Sequence, residues 1–102
     1  MRNSTYYCGG VTTSPSWVTY QTNGLTLTID TSSCQFNSTP LYFTSIHATG
    51  EHFVLVGYTA IYGASKTSFI VYVTSVVGWN SVLMLNLSST NRWDVNWLSM
   101  TF

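Results

Sequence analysis

Leu25-Thr-Leu-Thr-Ile-Asp30 alternates apolar and polar residues without a break. A period of two puts Leu25, Leu27 and Ile29 on one face of an extended chain and the hydroxyls on the other, which is the pattern of a half-buried β-strand. Thr22-Asn23-Gly24 just before it is a turn signal. The same reading extends outward in both directions. Leu41 to Ile46 follows Pro40 as a strand, and His52 to Tyr62 reads as another, with Gly57 as a bulge or bend. Ser68 to Val77 is apolar on both faces and predicts a central strand. Val82 to Ser88 follows the turn Gly78-Trp-Asn-Ser81 as a strand. Trp93 to about Met100 is the last, with Trp93, Val95 and Trp97 on one face, Asp94 and Asn96 on the other, and Phe102 tucked under the sheet. No window carries the 3.6-residue period, so no helix is expected. Short strands at this spacing predict one all-β domain over residues 1–102, an antiparallel β-sandwich of jelly-roll or lectin-like form.

Composition narrows the function. The chain has 102 residues and only six charged ones, three of each sign, whereas ordinary domains carry about a quarter charged. Without a basic stripe to track phosphates, a nucleic-acid partner is not expected. No run of about 18 apolar residues occurs, so membrane insertion is not expected either. Ser, Thr and Asn carry the polarity, and few like charges keep copies apart. A homo-oligomer would be one way to cover exposed apolar area.

Cys8 and Cys34 predict a disulfide, the alternative being two unrelated buried thiols. Closing that loop stabilises by roughly 3–4 kcal/mol on a chain-entropy view. Three glycosylation triplets, at Asn3, Asn37 and Asn86, fit an extracellular or cell-surface protein. No apolar leader follows Met1, which implies a removed leader or unconventional export.

Catalytic chemistry finds little footing. Gly-x-Ser-x-Gly, phosphate loops and dinucleotide fingerprints are absent, and no pairing among Asp30, Glu51 and Asp94 suggests a glycosidase dyad. Neither an enzyme nor a cofactor is expected. The densest group of titratable side chains is His47-Ala-Thr-Gly-Glu51-His52. It reads either as a solvated turn or as a ligand contact, and its loop spacing lacks the register of a specific metal site. In an antiparallel sheet, connections alternate between the two ends of the domain. Loops 47–52 and 78–81 then share an end, which predicts a rim of His47, Glu51, His52, Trp79 and Asn80. Such a rim offers an aromatic plate for the C–H face of a sugar and donors and acceptors for its hydroxyls. Lys66, Asn91 and Arg92 fall at the other end, where Arg92 and Trp93 could form a second contact patch. Trp79 could equally fold back over the sheet edge. Trp93 and Trp97 read as core, Trp17 as either, and Tyr42, Tyr58 and Tyr62 as packing residues within strands.

Asp30-Thr-Ser-Ser-Cys34, Thr39-Pro-Leu-Tyr-Phe-Thr-Ser45, Ala60-Ile-Tyr62 and Trp93-Asp-Val-Asn-Trp-Leu98, together with Cys8, span nearly the whole chain. They resemble the small haemagglutinins of plasmodial slime moulds and related lectin-like modules. The closing Asp-Val-Asn-Trp-Leu is also similar to the last strand of H-type lectins. The resemblance implies a β-sandwich lectin that binds glycans of cell-surface glycoproteins or glycolipids and agglutinates cells, which requires at least two sites per particle. It implies no particular sugar-binding residues. The competing expectation is a structural or adhesion module that holds a protein partner through a sheet face or edge.

Overall fold

The computed structural model describes residues 5–101. Asn3 and Phe102, on which two of the expectations above fall, lie outside them. Seven strands form two antiparallel sheets. Strands β1 (Tyr6–Thr12), β4 (Leu41–His47) and β7 (Asp94–Thr101) make the first, in the order β1-β7-β4. Strands β2 (Val18–Tyr20), β3 (Gly24–Asp30), β5 (Leu55–Val56) and β6 (Ser68–Ser75) make the second, in the order β2-β3-β6-β5.

The alternation that predicted β3 is what builds the core. Leu25, Leu27 and Ile29 pair with Val73, Val71 and Phe69 of β6, and all six are buried on the same face of the second sheet. The first sheet answers with Val95 and Tyr42, whose ring stacks on Phe69 at 4.2 Å. Trp17 and Trp93 close one side of this core. Buried indoles need acceptors for their N–H groups, and both have one: Trp17 Nε1 donates to the Trp93 carbonyl at 2.8 Å, and Trp93 Nε1 to that of Gly50 at 3.0 Å. The sandwich is as the alternation predicts, and β6 lies inside its sheet as the apolar run Ser68 to Val77 predicts.

Cys8 of β1 is bonded to Cys34, with Cα atoms 6.0 Å apart. Cys34 ends a 3₁₀ turn (Ser32–Cys34) that follows β3, so the bridge joins one sheet to the other. The Asp30 carboxylate accepts the Ser32 N–H at 2.9 Å. That backbone hydrogen bond, with help from the Ser32 hydroxyl, holds the exposed carboxyl below its ordinary pKa.

Two segments depart from expectation. Ser81–Thr90 is an α-helix, α1, not a strand. Most of its residues are not β-branched, and its Leu and Met lose little rotamer freedom in a helix. Asn80 caps it, its side chain accepting the Leu83 N–H at 2.9 Å. The buried face runs Ser81, Met84, Ser88, with helical spacing but two serines, so no apolar stripe marks it in the sequence. Those hydroxyls are satisfied by the carbonyls of Gln21 (2.6 Å) and Leu85 (2.7 Å). The second departure is His52 to Tyr62, which is not one strand. A 3₁₀ turn (His52–Val54) leads into the two-residue β5, and Gly57 then turns the chain at φ +100°. Tyr62 returns to β6 through a single bridge to Ile70.

Candidate functional site

The outer face of the second sheet carries a cluster of tyrosines. Tyr72 points outward from β6, because it has the opposite parity to the buried Phe69, Val71 and Val73. Tyr20, at the end of β2, reaches across β3 to it. Its ring centroid lies 4.8 Å from that of Tyr72 at an interplanar angle of 59°. Tyr62 approaches from the other side, 5.0 Å away and nearly perpendicular. Tilted and edge-to-face contacts at such distances are favourable for aromatic rings.

Two glycines permit this arrangement. Gly24 pairs with Tyr20 on one side and with Thr74 on the other, so it lies between the rows that hold the rings. A Cβ there would stand 3.1 Å from the Val73 carbonyl and 3.8 Å from the Tyr20 ring. At Gly57 the demand is stricter: besides its positive φ, a Cβ would come within 2.6 Å of the Tyr72 carbonyl oxygen. The bare backbone of residue 57 therefore presses directly on the strand that presents Tyr72.

Between these parts runs an open groove of about 230 Å³, lined by Tyr20, Tyr62 and Tyr72 together with Gln21, Asn23, Val56, Gly57 and Thr74. Thr74 Oγ1 donates to the Asn23 carbonyl at 2.7 Å and so anchors the 21–23 turn over β6. Tyr20 and Tyr62 are 42% and 52% exposed, so their ring faces and edges are open to a ligand. Among the described residues, the three phenols and the amides of Gln21 and Asn23 have no hydrogen-bond partner. The hydroxyls of Tyr6 and Tyr42, by contrast, bond the carbonyls of Cys34 and Ser65. The groove holds no Lys, Arg, Asp or Glu. It offers apolar plates, rotatable donors and acceptors, and no fixed charge.

The loops of the expected rim do lie together, since the Val76 N–H donates to the Val54 carbonyl at 2.9 Å and Trp79 stacks on Trp93, whose Nε1 donates to the Gly50 carbonyl, whereas Arg92 does not stand at the other end. His47 ends β4, exposed, opposite Asp94. Glu51 is exposed at φ +67°, and Arg92 is exposed at φ +54°. His52 is half-buried, its Nδ1 enclosed without a hydrogen-bond partner. Trp79 is half-buried and stacked on Trp93 at 6.4 Å. Asn80 is occupied as the cap of α1. The count of alternating ends fails at α1, which is no strand. Because β7 runs antiparallel to β4, it starts where β4 ends, and the Thr49 N–H donates to the Asn91 carbonyl at 2.8 Å. Asn91 therefore lies beside loop 47–52, not opposite it. Asn80 lies a whole helix away from Asn91, about 15 Å for ten residues. Among the described residues no group of three or more His, Cys, Asp and Glu side chains comes together, and no helix is long and apolar enough to cross a membrane.

Tyr20, Tyr72, Gln21 and Asn23 were not singled out from the sequence, and Tyr62 was read as packing. The available signal is the outward parity of Tyr72 within a strand whose inward residues Phe69, Val71 and Val73 are apolar. No protein-family model matches this chain, and no curated protein matches it.

Proposed function

We propose that this protein is a lectin: a non-enzymatic, secreted or cell-surface binder of neutral glycans on glycoproteins or glycolipids, with the tyrosine groove as its site. The observation that carries this reading is three clustered, partly exposed tyrosines flanked by the side-chain amides of Gln21 and Asn23, which have no hydrogen-bond partner among the described residues. A pyranose ring has an apolar C–H face and an equatorial fringe of hydroxyls. The first matches a tyrosine face, and the second matches amides and phenols that both donate and accept. The missing charge favours uncharged sugars over sialylated or sulfated ones, because an anion leaving water here would find no counter-ion. The disulfide suits an oxidising compartment. The resemblance to slime-mould haemagglutinins supports the same reading.

Hydroxyl-rich ligands compete with water for every hydrogen bond, so single-site dissociation constants should fall roughly between micromolar and millimolar, about −8 to −4 kcal/mol. The test is protein-detected NMR with a mixture of neutral monosaccharides. Shifts should concentrate on Tyr20, Tyr62, Tyr72, Gln21 and Asn23. Tyr62→Ala should weaken binding by about 1–3 kcal/mol, roughly 5- to 150-fold, with little change in melting temperature. Shifts confined to His47, Glu51 and Trp79 would move the site, and no shift with any sugar would remove the function.

A further inference from the structure

The outward face of the first sheet is apolar where a sandwich normally turns polar residues to water. Register fixes what it presents. Tyr7, Met100 and Leu41 form one row across β1, β7 and β4; Gly9, Leu98 and Phe43 form the next; Val11, Asn96 and Ser45 form the third. Tyr7, Val11, Leu41, Phe43 and Leu98 are each between 43% and 59% exposed. Among the described residues, Asp94 is the only formal charge at an outward position of these strands. It sits in the end row, with one oxygen accepting the Ser14 N–H at 2.9 Å.

We infer that this face is the contact between two copies of the chain, packed sheet against sheet. The face is self-complementary. About a two-fold axis along β7, Phe43 of each copy falls over Gly9 of the other, so a large ring meets the one position without a side chain. Tyr7 falls over Leu41, and Val11 over Ser45. Leu98 meets its own equivalent at the centre, at the spacing of about 10 Å usual for stacked sheets. The same axis sets Asp94 against its own equivalent, but in the end row, where water reaches and screens both carboxylates. Nothing of like charge opposes the approach at the centre, and a second copy is the partner whose apolar rows match these in number and spacing. Five half-exposed side chains with their smaller neighbours present on the order of 500–600 Å² per copy. Two copies together bury just over the ~1,000 Å² that a specific contact needs, and less than the ~1,600 Å² of a standard interface. The dimer is therefore reversible, with a dissociation constant roughly in the micromolar range.

The contact leaves the two tyrosine faces on the opposite outer surfaces of a four-sheet stack, so the pair is bivalent if those faces bind sugar. The dimer itself does not depend on that reading, and its test uses no sugar. Sedimentation analysis from about 1 to about 300 µM should show the mass rising from 11.4 kDa to twice that and then saturating. Leu98→Asp and, separately, Phe43→Asp should shift the transition at least about 50-fold upward in concentration, with unchanged circular dichroism. Val82→Asp, at an exposed site on α1, should leave it in place. A monomer throughout the range would overturn the proposal. So would dimerisation undiminished in both β-face variants, or growth beyond the dimer without saturation.

Discussion

Trp79 shows how the same side chain can be read in two ways and decided by its neighbours. As a ring at a turn it suggests a sugar plate, yet it is half-buried on Trp93, and its backbone N–H donates to Ser75 Oγ at 2.9 Å, fixing the turn that carries it. Trp79→Ala should therefore destabilise the fold by about 1–3 kcal/mol, less than a fully buried tryptophan would cost, through lost packing over Trp93. Sugar affinity at the tyrosines should not change. Urea unfolding and a sugar titration of the same variant check both halves, and a stable variant with weakened binding would restore the rim. The tyrosine groove, in turn, rests on two residues without side chains: Gly24 and Gly57 set where Tyr20 and Tyr72 stand.

Elements whose inward residues are apolar could be read directly. Strand β3 alternates cleanly, β6 carries Phe69, Val71 and Val73 inward, and β7 carries Val95 and Trp97 inward, so their places followed from period alone. Helix α1 could not be read so, because it buries Ser81 and Ser88 beside Met84 while Val82 and Leu83 face water. Its local signal lay in the Asn80 cap and in Leu and Met, which carry no branch at Cβ, rather than in hydrophobic spacing. The candidate site was hidden for another reason. Tyr20, Tyr62 and Tyr72 come from three separate segments, and only the pairing register brings them together. Asn80→Ala should cost α1, and with it the domain, about 1 kcal/mol, seen as a lower urea midpoint at constant slope. Asn80→Asp should recover most of the loss, since its carboxylate can accept the same Leu83 N–H. An Ala variant as stable as the parent would mean that tertiary packing alone holds the helix.

At the level of the whole chain, two thin sheets and one short helix enclose a core that a domain of this size makes only marginally large. The covalent bridge matters correspondingly. With its ends separated by 26 in sequence, Cys34→Ser should lower stability by about 3.5 kcal/mol and the melting temperature by many degrees, and calorimetry of the variant would show it. An unchanged melt would mean the bridge constrains nothing in the unfolded chain. Cys8 lies within β1, an edge strand paired only with β7, and Tyr6 beside it donates to the Cys34 carbonyl at 2.8 Å. An edge strand, paired on one side only, is an element that proteins can trade with a neighbour when they swap segments. Here that trade would require breaking a sulfur–sulfur bond. In oxidising surroundings, copies that carry this bridge would have to break it before they could exchange β1.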